Sequence, residues 1–285
     1  MNSGIINVLK PAGITSNEVL NKIKKLLKPN KIGHLGTLDP SGTGVLPVCI
    51  NKATKLFDYY LKKDKCYRAV FVFGKETDTL DSDGQIIYQD DKIITKQQIE
   101  NILFEFIGKQ AQLPPKYSAK KVAGQRAYEL ARQDKDFELY SKEIEIYDIN
   151  IITKIATNMF LFQIKCSSGT YIRSIARDIA KKLDTFAYMG AIIRTSSGNF
   201  DITDSMKLDD LTEQEIVPLK NILKDRQNVF VSDKFYDKIS NGCEIDIDHI
   251  DAENVVVFCK DELFGIGNIK SNKLKLNTNL WEKND

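Results

Sequence analysis

Histidine is almost missing from this chain of 285 residues, which holds 2 of them, 5 cysteines and 1 tryptophan. Cys49, Cys66, Cys166, Cys243 and Cys259 are scattered, odd in number and never spaced Cys-x-x-Cys, so spacing assembles neither a disulfide framework nor a zinc site. No stretch approaches the roughly 20 apolar residues that span a bilayer. The N-terminus lacks a signal peptide's order of basic, apolar and small residues. No glycine is followed by Lys-Ser or Lys-Thr, and no Gly-x-Gly-x-x-Gly occurs, which removes the main support for nucleotide binding. These absences predict a reduced, cytoplasmic protein with no metal, no cofactor and no membrane association.

The formal charge of +2 conceals an uneven distribution. Residues 1–65 hold eleven lysines against four acids, and residues 109–132 hold six basic residues against one acid. Residues 227–285 reverse the balance, with seven basic against eleven acidic. Two separated basic segments predict a localised positive surface that follows a phosphate backbone; lysines solvating helix faces are the plain alternative. At 42% hydrophobic residues the chain can bury one large core and carry a small additional domain.

Thr15-Ser16-Asn17-Glu18 reads as a capping box, after which Val19, Leu20, Ile23, Leu26 and Leu27 share a helical face until Pro29. Tyr67 to Phe73 reads as a strand with Ile86-Ile87-Tyr88 as its hairpin partner. Gln97 to Ile107 reads as a helix and Ala127 to Ala131 as a short one. Met159 to Cys166 is strand-like, and Ile172, Ile175, Ala176, Ile179, Ala180 and Leu183 keep helical spacing after a turn with Thr170 as N-cap. Interspersed helices and strands without a βαβ repeat predict an α+β domain with a mixed, largely antiparallel sheet and flanking helices. A boundary near Asp225-Arg226-Gln227-Asn228 divides residues 1–225 from 226–285, where runs at 255–258 and 263–269 predict a small β-rich domain.

Gly33-His34-Leu35-Gly36-Thr37-Leu38-Asp39-Pro40-Ser41-Gly42-Thr43-Gly44-Val45-Leu46-Pro47 is too rich in glycine and proline for a helix or central strand. Such a loop presents a lone carboxylate, although an aspartate in a turn often only caps that turn. Arg173 falls in the first turn of a predicted helix, where the macrodipole disfavours a cation. It wants an anion close by, with Asp39 the candidate; the plain alternative is a surface arginine reaching solvent or an RNA phosphate. A guanidinium beside a carboxylate favours its ionised form. Thr79-Leu80-Asp81-Ser82-Asp83-Gly84 imitates a calcium loop poorly, since it opens on Thr and has Asp90 at the twelfth position. No second acid stands in a loop like that of Asp39, as a glycosidase pair requires.

The Asp39 loop resembles the catalytic signature of the bacterial TruB-type synthases that make pseudouridine at uridine 55 of the tRNA T loop. Four further blocks resemble that family in order: Lys10-Pro11-Ala12-Gly13-Ile14-Thr15-Ser16-Asn17; Lys65-Cys66-Tyr67-Arg68-Ala69 with Thr77 to Gly84; Pro114-Pro115-Lys116-Tyr117-Ser118-Ala119; and Gly169-Thr170-Tyr171-Ile172-Arg173. Gly42 departs from the usual Ala. Ile192-Ile193-Arg194-Thr195 departs from Leu-Arg-Arg-Thr, so that Ile193 removes an expected phosphate contact.

The resemblance implies a tRNA pseudouridine-55 synthase with Asp39 as nucleophile and Arg173 as its counter-ion. It further implies Tyr67 and Tyr171 against the uracil, Ile192 as a pocket wall and His34 meeting the RNA near the vacated base position. Taken alone, each of these side chains is ordinary core or polar filler. The nucleophile's route stays open among attack at C1′, addition at C6 and elimination to a glycal. The implied partner is the T arm of tRNA, bound by a monomer, and the C-terminal segment resembles a shortened PUA-like domain. The rival reading is a non-catalytic tRNA-binding or tRNA-folding protein with the same fold.

Overall fold

Along the chain come β1 (Gly4–Lys10), α1 (Ser16–Leu27), β2 (Ile32–His34), β3 (Thr43–Ile50), α2 (Phe57–Leu61), β4 (Lys65–Phe73), β5 (Lys75–Thr77), β6 (Ile86–Gln89), α3 (Lys96–Leu103), β7 (Gly108–Gln112), β8 (Lys121–Val122), β9 (Gln125–Arg126), α4 (Ala127–Arg132), β10 (Lys142–Ala156), β11 (Met159–Cys166), α5 (Ile172–Lys182) and β12 (Ala187–Ser197). The structure, a computed structural model, describes residues 3–61, 63–118, 120–122, 124–133 and 135–282. Ala119, the last residue of one motif block, and residues 283–285 lie outside it.

The largest sheet among the described residues has eleven strands, and its main path runs from Met206–Lys207 through β1, β3, β12, β4, β11 and β10 to β7. Pairing is antiparallel apart from two parallel joints, Met206–Lys207 with β1 and β3 with β12. This is the mixed, largely antiparallel sheet that the interspersed elements imply. At the second joint Ile193 faces Thr43 and Arg194 faces Gly44. Gly44 sits at φ +111°, and a Cβ there would stand 2.2 Å from the Arg194 carbonyl oxygen. Glycine alone lets these strands close, and the functional loop leads directly into that seam.

The helices pack where their apolar stripes require. α5 buries Ile172, Ile175, Ala176, Ile179 and Ala180 in one cluster with Phe71, Phe160, Phe162 and Ile164 of the sheet. Each buried isoleucine contributes roughly 1.5–3 kcal/mol, which fixes the helix that carries Arg173. On α1 both bonds of the capping box form, Lys28 in the left-handed region ends the helix, and Val19 and Ile23 are buried. Leu26, in its last turn, is exposed, so the buried stripe is shorter than the spacing suggests.

Two local readings are corrected. Ile86–Tyr88 does not pair with the strand that starts at Tyr67, because both edges of β4 are taken by β11 and β12. The chain breaks at Gly74 (φ +87°) and begins β5, which pairs with β6. The helix read over Gln97–Ile107 ends at Leu103 and tightens into a 3-10 turn, Phe104–Phe106.

From Asn228 onward a second sheet has the spatial order Asn228–Val231, Ala252–Cys259, Glu262–Lys270, Lys273–Asn279 and Ile245–Asp246. It contains both strand-like runs read from the sequence. It also shares a core with the first sheet: Val256, Phe258, Ile266 and Leu280 lie in one buried cluster with Ile5, Leu35, Cys49, Leu56 and Tyr60. Lys55 Nζ donates to the Asn279 carbonyl at 2.8 Å across this contact. Among the described residues no helix is long and apolar enough to cross a membrane.

Candidate active site

The Asp39 loop is held by side chains that reach in from three elements. Ser16, at the start of α1, accepts from Leu38 N–H and donates to the Leu38 carbonyl, both at 3.0 Å. Gly42 N–H closes a turn onto the Asp39 carbonyl at 3.0 Å, with Pro40 in the position whose fixed φ suits such a turn. Lys10, fully buried at the end of β1, donates to the carbonyls of Pro11, Pro40 and Gly42 at 2.9, 3.1 and 2.6 Å. Arg194, fully buried on β12, donates from Nε to Val45 O at 2.7 Å and from its two terminal nitrogens to Thr37 O and Gly36 O, each at 3.1 Å. Two buried cations therefore clasp the loop by its carbonyls, and the Lys10 charge lies within electrostatic reach of Asp39.

Asp39 is the carboxylate this scaffold presents. Arg173 Nε lies 3.1 Å from Asp39 Oδ2, so the sequence's demand for an anion at that helix start is met. Asp39 Oδ1 has no protein partner among the described residues. The guanidinium is fixed on its other edges as well: Nη1 donates to Asp81 Oδ2 at 3.0 Å and to Thr79 O at 2.9 Å, and Nη2 to Tyr117 O at 3.1 Å. Burial pushes the Asp81 carboxyl up, while the Thr79 hydroxyl and then Arg173 pull it back. The planar fork is thus oriented by four partners, and a planar fork orients a carboxylate better than a point charge can.

All six residues singled out from the sequence line one cleft of about 990 Å³: Asp39, His34, Tyr67, Tyr171, Arg173 and Ile192. Tyr67 is buried, and burial pushes its hydroxyl up to about 12 with Arg194 opposing. Tyr171 is raised by burial, with the nearby Ser118 hydroxyl opposing. His34 is lowered by burial and then by Arg194, and its Nδ1 is buried without a hydrogen-bond partner among the described residues. Ile192 is buried beside the loop: a Cβ at Gly42 would stand 3.1 Å from Ile192 Cγ2 and 3.1 Å from Leu38 Cγ. Gly42 and Ile192 therefore share one space. Ile193 is exposed on the opposite face from Arg194. The cleft's outer wall is cationic and aromatic, with Lys120, Arg126, Tyr128 and Arg132.

One reading at this site is corrected. The sequence places Thr170 at the N-cap of α5, but the cap position is Tyr171, which makes no side-chain cap bond. Thr170 Oγ1 donates backward to Ser167 O at 2.9 Å, because Gly169 at φ +80° turns the chain three residues before the helix begins at Ile172. Lys10, Asp81 and Arg194 are site residues that the sequence reading did not assign. Asp81 was within sight only as one acid of the calcium-like turn. Lys65, buried and lowered to about 8 by burial and then by Arg194, also lines the cleft.

The architecture is shared with chains of two solved assemblies. A chain in the crystal structure of a Cbf5-Nop10-Gar1 complex superposes with a TM-score of 0.72 at 25% identity, over 98% of this chain and 85% of that one. A chain of an H/ACA RNP bound to a substrate RNA containing 2'-deoxyuridine gives 0.71 at 23% identity, over 98% and 85%. Together they mark the fold as that of the pseudouridine synthases. The model of the TruB family pseudouridylate synthase, N-terminal domain, matches residues 24–172. The tRNA pseudouridine synthase B of Caldanaerobacter subterraneus subsp. tengcongensis is 38% identical over 278 residues, 95% of this chain and 97% of its own. That of Clostridium novyi (strain NT) is 40% identical over 284 residues, 96% and 98%. The chain belongs to the TruB family, and it is a pseudouridine synthase.

Proposed function

We propose that the protein isomerises uridine 55 in the T loop of tRNA to pseudouridine, with Asp39 as the nucleophile. The ion pair between Asp39 and a fully partnered Arg173 carries this reading. A carboxylate attacks as its anion, and Arg173 holds Asp39 by Oδ2 in the wall of the cleft. Relatives named tRNA pseudouridine synthase B over nearly the whole chain support tRNA as the substrate. The isomerisation breaks the C1′–N1 bond, turns the uracil and joins C1′ to C5, with the proton lost from C5 balanced by one gained at N1. Attack at C1′, addition at C6 and elimination to a glycal all draw on the same ionised carboxylate.

The base must leave its stack to reach Asp39, and extruded bases are held by aromatic faces and apolar walls. Tyr67, Tyr171 and Ile192 supply these, and His34 lines the same cleft. The cationic wall from Lys120 to Arg132 suits the phosphates of the T arm. Residues 1–225 carry the chemistry in this reading, and residues 226–285 form a PUA-like module of a monomeric, cytoplasmic enzyme. Asp39→Asn keeps the shape of the side chain and removes the nucleophile. Its expected outcome is no pseudouridine in a T-arm stem-loop, with RNA affinity within about three-fold of the parent; any measurable turnover by the purified variant rejects the assignment.

A further inference from the structure

The first turn of α5 carries Arg173, and its cap residue Tyr171 makes no side-chain cap bond of its own. A buried amide from the sheet edge holds it. Gln112, 3% exposed at the end of β7, accepts from the Tyr171 N–H through Oε1 at 2.8 Å and donates from Nε2 to the Tyr171 carbonyl at 3.1 Å. One side chain satisfies both backbone groups of one residue, as a neighbouring strand would. The following segment extends the same grip. Leu113 O accepts from Ser174 Oγ at 2.8 Å and from Arg177 Nη2 at 3.0 Å, and Tyr117 O accepts from Arg173 Nη2.

A primary amide is suited to this place because it offers a donor and an acceptor side by side without charge. Hydrogen bonding to backbone rather than to another side chain fixes where Tyr171 begins the helix. Arg173 follows two residues later, and its guanidinium faces Asp39. We propose that Gln112 is a positioning residue of the reaction: it sets the backbone at Tyr171 and, through it, the orientation of Arg173 against Asp39. The inference rests on Asp39 being the reacting group.

Gln112→Glu tests it. An ionised glutamate still accepts from the Tyr171 N–H but sets its second oxygen against the Tyr171 carbonyl; a protonated one donates and accepts as the amide does. At about pH 8 the single-turnover rate on a T-arm stem-loop falls about ten- to a hundred-fold, with stem-loop Kd within about three-fold, since small misplacements act on the chemical step. As the pH is lowered toward about 5, the ratio of variant to parent rate climbs, because burial favours the protonated acid. The other titratable groups at this junction, Tyr171, Arg173 with Asp39 and Asp81, and Arg177 with Asp178, are common to both proteins and cancel in the ratio. Gln112→Met, which has nothing to protonate, stays slow at every pH while melting as a folded protein. A ratio for Gln112→Glu that does not change with pH, or a loss carried wholly by Kd, overturns the proposal. Asp39→Asn is assayed alongside: turnover by that variant rejects the reading of the centre itself, whereas an inert Asp39→Asn beside an unimpaired Gln112→Glu rejects only the role of Gln112.

Discussion

Arg173 holds two carboxylates, and replacing it separates what each is for. Asp81 is 7% exposed in its side chain and 3.0 Å from the guanidinium, whereas Asp39 is 35% exposed and 3.1 Å away. Removing one partner of a buried pair costs about 3–5 kcal/mol, because the remaining charge is stranded. A pair as open to solvent as that with Asp39 contributes about 0.2–1 kcal/mol. Arg173→Met should therefore lose stability almost entirely through Asp81, and catalysis through Asp39. Adding Asp81→Asn removes the stranded charge, so the double variant should recover most of the lost stability in urea unfolding at neutral pH. Its single-turnover rate on a T-arm stem-loop should stay as low as that of Arg173→Met, since Asp39 still lacks its fork. Arg173→Lys should fall between, keeping charge without planar geometry. If activity returned together with stability in the double variant, Arg173 would be a strut and its pairing with Asp39 incidental.

Burial lowers Lys10 to about 8, against the pull of Asp39. Between that value and the ordinary 10.5 the unfolded chain binds more protons than the folded one, so this lysine adds stability as pH rises through the window, by up to about 1.4 kcal/mol per pH unit. Comparing urea midpoints of the parent and Lys10→Met from pH 8 to 10.5 checks this, and a parent advantage that shrinks over that range contradicts it. A Cβ at Gly42 would crowd Ile192 and Leu38, so Gly42→Ala should destabilise by about 1–3 kcal/mol. In an Ile192→Leu background, which moves the branch away, the loss should be smaller by at least about 0.5 kcal/mol; additive effects in a double-mutant cycle would show that the two sites do not share space. Truncation after residue 225 removes Val256, Phe258, Ile266 and Leu280 from the cluster that includes Leu35. The shortened chain should melt at a lower temperature and bind a hydrophobic dye, and a shortened chain as stable as the parent would mean that this cluster contributes little.

Much of the site was legible because its signals are local. The capping box at Thr15 and Glu18, the turn at Asp39-Pro40 and the apolar stripe of α5 each depend on residues within a few positions of one another. Arg173 could be read as needing an anion because the field at a helix start is a property of that helix alone. The misreadings are of a different kind. Ile86–Tyr88 has the composition of a partner for β4, but β4 was already paired on both edges by strands from residues 159–166 and 187–197.

By itself the sequence determined several of the strands and helices, that a carboxylate stands in a glycine-rich loop, and that a misplaced-looking arginine needs an anion. Tertiary structure alone decided that Asp81 shares that arginine, and that Lys10 and Arg194 turn inward to hold the loop. It also decided that Gln112 reads the backbone of Tyr171 across 59 residues. The partners of these inward residues are mostly backbone carbonyls and N–H groups, which every residue type carries alike. A sequence can show where a cation or an amide is placed, but only the path of the chain brings particular carbonyls together around it.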